Sequence, residues 1–570
     1  MKIIKYLITV VITAGFALSC NFLDMEPNII IKETYYNNET ELKYGLAGVY
    51  GALSNEAFYG NYYSLMLSNV DDLSYFNRPT TPASCQVYKH DAGSSQIYDA
   101  WTEIYAGIKN ANAYMSAIEK SAIDKGHRYY SEARFLRAYY HFILAQAWGD
   151  VPLRKSEAES HDDVMCAATP QAEVLKWVVE EMKACIANAG DNVEVQPSRV
   201  TKTTMQGILA RVYLFMAGET VQTDGDKKAL FKAAMDCADS VIVSGKHKLN
   251  PDYTDIFKNM MSNKYDTGYR ESMWEVEFYG DRSSASSWTN GRIGDLLGLQ
   301  SSGSKNYSIF KCNYAYGQYN GSLKLWDLYW KEDRTDSEKS LPTVTDKRQE
   351  WNMSPYNYAG NATQPPYGTD GSNGKKSCDA SIDKTPYVYD KVSTTVNPLS
   401  AAGIRNCGKF RREVEYEGVM SAKSLYTKIN YPILRYADVL LMYAEAQNEY
   451  EGAPSQKAYD CVKAVRDRAG IATNDFSAYD KESFRSLVRN ERGRELCFES
   501  LRKYDLIRWG VFVKTMNDYS LWAKDKRWVK DVKSAQAVAI GTAVEKRHVL
   551  LPIPSVELGV NNLLRQNSLW

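Results

Sequence analysis

The sequence predicts a mainly α-helical protein, built from paired amphipathic helices in the manner of a stacked repeat array, with a long irregular middle. Three observations carry this reading. Apolar residues recur every three or four positions in ten separate segments. Short turns with Gly or Pro, such as Gly126, Gly149 to Pro152 and Gly452 to Pro454, divide those segments into pairs. Between about 246 and 432 the helical period fades, and Gly, Ser, Asn, Tyr and Trp take over. No clean repeat period is present, so the array is read from the pairing alone.

In chain order, residues 1–19 come first. Lys2 and Lys5 precede an apolar run from Tyr6 to Leu18, too short for a membrane span and shaped like a secretory signal. The run ends Ala17-Leu18-Ser19-Cys20, which resembles a bacterial lipobox with Ala17 where Leu is usual. Cys20 is therefore the expected lipidation site, and fatty acyl (palmitate-type) chains there, each burying methylenes worth ~0.8 kcal/mol apiece, would give stable anchoring. Helical spacing then marks 38–57, 97–120, 128–148, 170–188, 201–218 and 229–244, and later 435–450, 456–469, 481–497 and 503–516. Asp71 to Ser95 and 352–386 read as loops. The expected divisions are a signal peptide over 1–19, an N-terminal helical region over 20–245, a loop-rich region over 246–432 and a C-terminal helical region over 433–570, in one composite unit.

Composition excludes several classes. The chain has 570 residues, with 69 basic and 69 acidic side chains, and loss of Lys2 and Lys5 leaves 67 against 69. A nucleic-acid partner calls for a basic excess that is missing here. The 10 cysteines include no CxxC pair or zinc-type cluster, and without Cys20 their number is odd. Cys185, Cys237, Cys461 and Cys497 sit in helical apolar patterns, where buried free thiols are the default. Tyrosine is the outlier, 42 against 16 Phe. Its flat ring and polar tip suit wet binding surfaces, although most copies should simply pack at helix contacts.

Signs of catalysis are weak. The 6 histidines form no HExxH, and GxSxG and GxxxxGK[ST] are missing. His141 reads as a packed helix residue. Asp71-Asp72 reads as a turn element rather than an acid–base pair, and Asp333 to Asp336 lacks EF-hand spacing. Arg494, Glu495, Arg502, Asp505 and Arg508 form a charge-rich helical stretch. Arg cannot act as a base near neutrality, so internal ion pairs are the reading there. No cofactor, metal or catalytic residue is expected.

Several blocks carry a family resemblance. They are Cys20 to Asp24, Trp101 to Asn112, Glu132 to Leu153 (EARFLRAYYHFILAQAWGDVPL), and Pro197-Ser198-Arg199 with Ala210 to Leu214. Arg435 to Glu445, Val465 to Gly470, Glu491 to Gly510, and Leu551 to Pro554 with Gln566-Asn567 complete the set. Together, and in collinear order, they resemble the SusD/RagB family of Bacteroidetes outer-membrane lipoproteins. The resemblance implies tetratricopeptide-like helix pairs forming an α-superhelical scaffold, beside an irregular loop-rich half that binds ligand. It also implies a cell-surface protein that captures a glycan, or in some members a peptide, for a SusC-like TonB-dependent transporter. A surface glycoside hydrolase and a helical scaffold that binds only proteins are the other readings.

Sugars are gripped by a ring stacked on their C–H face and by hydrogen bonds at their hydroxyl rim. Two segments have that mixture. The first is Tyr75, Phe76, Asn77 and Arg78, with Tyr88 beyond. The second runs from Trp288 through Tyr307, Phe310, Tyr314 and Tyr316 to Tyr319. Trp326 looks instead like helix core.

Overall fold

A computed structural model describes residues 36–78, 84–124, 126–158, 165–189, 196–221, 225–278, 291–300, 315–329, 346–354, 356–358, 384–386, 405–412, 415, 425–525 and 532–570. The long helices are α1 (Glu39–Tyr50), α2 (Ser95–Ile118), α3 (Arg128–Trp148), α4 (Gln171–Asn188), α5 (Lys202–Met216), α6 (Lys227–Val243) and α7 (Tyr253–Ser262). After the middle region come α8 (Tyr436–Glu451), α9 (Gln456–Arg468), α10 (Lys481–Leu496), α11 (Arg502–Arg508), α12 (Phe512–Asp525) and α13 (Val532–Ala543). The protein is mainly α-helical, as the sequence predicts.

Side-chain caps start many of these helices. Asn38 accepts from Glu41 N at 3.0 Å, Thr201 from Thr204 N at 3.2 Å, and Asp480 forms a capping box with Ser483. Consecutive helices pack as neighbours from α1 to α6; α6 then packs on α8, which also takes α9 and α10. This is the expected helix-pair array. At the α2–α3 contact, a Cβ on Gly107 would meet the Tyr140 ring at 2.8 Å, so only Gly allows this approach. Trp101 and Trp148 meet edge to face at 5.5 Å in the same interface.

The structure corrects three expectations. The helix expected over 38–57 ends at Tyr50. A 3-10 turn (Gly51–Ser54) and two π-type turns (Glu56–Gly60 and Tyr62–Leu67) follow, because Asn55 is extended and its side chain caps Ala57 N at 2.8 Å. The helix expected over 503–516 is two, α11 and α12, broken where Gly510 takes φ 71°. Asp71 to Ser95 is no open loop. It contributes β1 (Ser74–Phe76), a 3-10 turn (Cys85–Val87) and core residues.

Three short antiparallel pairs are present among the described residues, of which the first two join the middle region to the flanking helical regions. They are β1 with β3 (Tyr319–Gly321), β2 (Ser272–Val276) with β6 (Tyr431–Arg435), and β4 (Tyr356–Tyr358) with β5 (Lys384–Pro386). The first pair aligns Ser74 with Gly321 and Phe76 with Tyr319.

Around α10 lies a buried ion network. Glu495 receives Arg435 at 2.9 Å, Arg468 at 2.6 Å and Arg348 at 2.9 Å. Arg435 also reaches Glu271 at 3.1 Å and Glu499 at 2.8 Å, and Glu499 takes Lys409 at 2.6 Å. A second cluster joins Arg492 to Asp438 (2.6 Å) and Asp505 (2.8 Å), Arg211 to Asp438 (2.7 Å), and Arg508 to Glu445. Arg502 and Lys324 share Asp72. The internal ion pairs expected for the 494–508 stretch are present. Arg134 and Arg137 likewise both meet Glu181.

Burial alone would raise the Glu495 carboxyl, but Arg468, Arg435 and Arg348 outweigh it and hold it well below the usual range. Burial is likewise overcome at Asp438, by Arg492 and Arg211, and at Glu445, by Arg508, leaving both at about 2. His141, fully enclosed, is pushed down to about 3 by burial, so it stays neutral when folded.

Two outcomes follow for stability. Glu495→Ala removes a carboxylate shared by three buried guanidiniums, each of which keeps other carboxylate partners, and should cost about 3 kcal/mol in a denaturant titration; an unchanged midpoint would refute the network's role. On the acid side the signs agree. Carboxyls depressed by folding lose their contribution as pH drops from about 4 to 2. Below about 6.5 the unfolded chain also takes up a proton at His141 that the folded chain refuses. Melting temperature should therefore fall steeply between pH 4 and pH 2, and a flat thermal profile there would contradict the assignment.

Candidate functional site

The β1–β3 pair ends in a polar rim. An asparagine triad fixes its base: Asn77 Nδ2 donates to Asn320 Oδ1 (2.7 Å) and Gly317 O (2.8 Å), and Asn406 Nδ2 donates to the same two acceptors at 2.9 Å. Just beyond, Arg78 Nη2 donates to Tyr316 O at 3.1 Å, and the guanidinium lies 6.0 Å from the Tyr316 ring centre. Both side chains are half-buried and reach solvent.

Asp295 holds this rim from below. Its carboxylate accepts Tyr316 N at 3.0 Å and pairs with Arg292 at 2.6 Å, while its carbonyl accepts Gly317 N at 2.9 Å. Burial outweighs the Arg292 charge and leaves the Asp295 carboxyl above its ordinary value. Arg292 N in turn donates to Gly60 O at 2.8 Å, which ties the rim to the π-type turns after α1. There Tyr62 is half-buried; burial, then Glu56 and Asp99, raise its hydroxyl pKa while Arg292 lowers it. Glu56 accepts the Tyr426 hydroxyl at 3.1 Å. Glu56, Tyr62, Arg78, Arg292 and Tyr316 are thus half-buried, while Asp295 and Tyr426 beside them are buried.

The sequence candidates divide into three groups. Arg78 and Tyr316 stand together at the rim. Tyr75, Phe76, Asn77, Tyr88 and Tyr319 are buried and serve the interior instead of displaying a platform. Both faces of the β1–β3 pair are covered, so neighbouring strand residues turn into the core alike. Phe76 meets Tyr319 edge to face at 5.8 Å, the Tyr75 hydroxyl accepts Asn320 Nδ2 at 3.3 Å, and the Tyr88 hydroxyl donates to Val70 O. Trp288, Tyr307, Phe310 and Tyr314 lie outside the described residues, as does Cys20. Gly291 and Ala315, which follow the segments of Trp288 and of Tyr307 to Tyr314 in the chain, adjoin the rim residues Arg292 and Tyr316.

Sequence reasoning missed Tyr62, Arg292 and Asp295. The run Tyr59-Gly60-Asn61-Tyr62-Tyr63 has the same mixture of rings, Gly and Asn that marked 75–78, and could have flagged Tyr62. Nothing local marks Arg292 or Asp295.

Other readings settle as structural. Asp71 caps the turn by accepting Leu73 N (2.7 Å) and Ser74 N (3.0 Å), and Trp326 is core. Cys185, Cys461 and Cys497 are buried free thiols, while Cys237 is only half-buried. Among the described residues no three His, Cys, Asp or Glu side chains converge as a metal site, and no helix is long and apolar enough to cross a membrane.

Comparisons with known proteins give one answer. A sequence profile described as "SusD family" matches residues 270–570, and one described as "Starch-binding associating with outer membrane" matches residues 21–214. The chain is 23% identical to SusD-like protein P25 of Formosa agariphila, over 99% of this chain and 98% of that one. It resembles a SusD homolog from Bacteroides thetaiotaomicron at TM-score 0.79 and 25% identity, covering 95% of this chain and 98% of the other. It also shares its fold with surface glycan-binding protein A from Bacteroides uniformis, at TM-score 0.63 and 17% identity, over 93% and 99% of the two chains.

The burial of Tyr75 sets an expectation. Tyr75→Ala should destabilise the fold by about 3–5 kcal/mol, as large aromatic truncations do. A variant that kept its unfolding midpoint and lost only ligand binding would contradict this placement.

Proposed function

The chain belongs to the SusD family, and on that premise we propose that it is a cell-surface glycan-binding protein that captures oligosaccharide without cleaving it. One observation carries the reading: Tyr316 and Arg78 present a ring and a guanidinium side by side at a solvent-facing rim, both backed by the Asp295–Arg292 pair. A ring can stack on the C–H face of a sugar while the guanidinium reaches its hydroxyls. Among the described residues no carboxylate pairs with the guanidinium, and its N–H groups beyond the one given to Tyr316 O can serve a ligand. Support also comes from the Bacteroides uniformis neighbour, which is named for glycan binding.

Trp288, Tyr307, Phe310 and Tyr314 would extend this surface, since their segments adjoin the rim in the chain. Buried Tyr75, Phe76, Asn77, Tyr88 and Tyr319 act in this reading as the rigid support beneath it. The captured glycan passes to a SusC-like TonB-dependent barrel, and acyl chains on Cys20 hold the protein at the outer membrane after removal of residues 1–19. A shallow rim gives modest affinity, which suits capture followed by release.

Three measurements test this. In affinity electrophoresis against a glycan panel, Arg78→Ala and Tyr316→Ala should each weaken binding by about tenfold, roughly 1.4 kcal/mol, with melting temperature unchanged. Retention by immobilised peptides with a blank glycan panel, or release of reducing ends from a polysaccharide, would overturn the reading. Cys20→Ala should move the protein from the membrane fraction to the soluble one.

A further inference from the structure

We propose that the cleft between α1 and β2 is a second binding site, which takes the continuing neutral stretch of a glycan chain held at the rim. This rests on the glycan-binding reading above and adds a ligand class and length to it.

The cleft has a volume of about 440 Å³ and is walled by α1 and the following turn on one side and by Ser198, Arg199 and the β2 end on the other. That lies within the roughly 300–1,000 Å³ of small-molecule sites. Leu46, Leu53 and Val276 supply an apolar share of the wall, and Tyr50 a ring. A smaller cavity of about 240 Å³ continues from it, with Arg199 and Glu275 common to both.

The polar groups of the wall argue for a neutral ligand over an anionic one, because both cations there already pair with carboxylates and the remaining carboxylates accept hydrogen bonds from neutral groups. Lys43 pairs with Glu39 at 3.0 Å. Arg199 is held by Glu132, whose carboxylate also accepts the Tyr50 hydroxyl at 3.1 Å. Glu277 accepts the Tyr265 hydroxyl, and Glu275 accepts Asn430 Nδ2 at 3.0 Å. Burial raises the Glu275 carboxyl to about 7, which further reduces charge at the junction of the two cavities. An anionic ligand finds no unmatched positive charge among these groups. Hydroxyls find spare lone pairs on the carboxylates and spare N–H groups on Arg199.

The cleft also adjoins the rim. Ser54 in its wall is two residues from Glu56 of the rim strip. Glu277 precedes Phe278, whose ring packs so closely on Gly291 that a Cβ there would meet it at 2.6 Å, and Arg292 comes next. Sites this close can engage one chain together, and linkage raises retention without new contacts.

The test uses neutral β-glucan, xylan and mannan oligosaccharides in a length series, with uronic-acid oligomers beside them, in titration calorimetry on the full mature chain. Affinity should rise by about tenfold from the shortest to the longest member of the series that binds. Ala47 is exposed on α1 and Ser198 is half-buried opposite, and both line the cleft. Ala47→Trp and Ser198→Trp should each abolish that rise and leave short-chain affinity and melting temperature at wild-type values. If both variants bind long chains like the wild type, the cleft proposal falls and the rim reading stands. Uronic-acid oligomers whose binding alone is lost in these variants overturn the neutral assignment. Failure of every oligosaccharide to bind the wild type overturns both.

Discussion

Glu495 sits fully buried among Arg348, Arg435 and Arg468, and the middle region is fastened to the helix array through that carboxylate. The residues it gathers come from distant parts of the chain: Arg348 from the middle region, Arg435 from β6, Arg468 from α9, and Glu271, through the shared arginines, from the approach to β2. Such a network is a poor source of net stability, because taking each charge out of water costs several kcal/mol. Its effect is discrimination. Any packing that misplaces one partner leaves an uncompensated buried charge, so competing arrangements of the middle region are penalised far more than the native one gains. Hydrophobic contact, which is non-directional, could not choose among them so sharply.

The candidate site inherits that rigidity. β2 pairs with β6, and β6 ends at Arg435 inside the network. On the other side, β1 and β3 are locked by the asparagine triad, and Asp72 beside β1 is held by Arg502 and Lys324. The aromatic residues between them are packed, and they fix where Arg78 and Tyr316 emerge. Preorganisation of this kind matters for a weakly gripping surface, since each side chain already fixed is one that binding need not order.

Much of the helical architecture was legible along the chain. Amphipathic spacing and caps are local properties, and α2 to α6 and α8 to α10 form within a few residues of where periodicity places them. α7 escaped because Tyr253 to Ser262 is short and lies inside a Gly- and Tyr-rich region. The break at Gly510 was visible as a residue but not as a decision, because a helix can carry Gly when packing favours continuity. Here φ 71° was imposed where Gly510 abuts Glu219.

The site was legible by composition and illegible by orientation. Sequence alone determined the helical class, the segments rich in rings and amides, and the inward-facing role of the Arg–carboxylate stretch around 491–508. It could not determine which rings face out. In the β1–β3 pair both faces are covered, so the alternation that normally separates inside from outside carries no information for Tyr75 and Phe76. Nor could it join Asp295 to Tyr316, or Ser54 to Glu277 across the cleft, since those meetings depend on how far-separated segments pack. Periodicity reports a residue's environment only where one side of an element is solvent. Where an element is enclosed, or a charge is buried, tertiary contacts alone assign its partners.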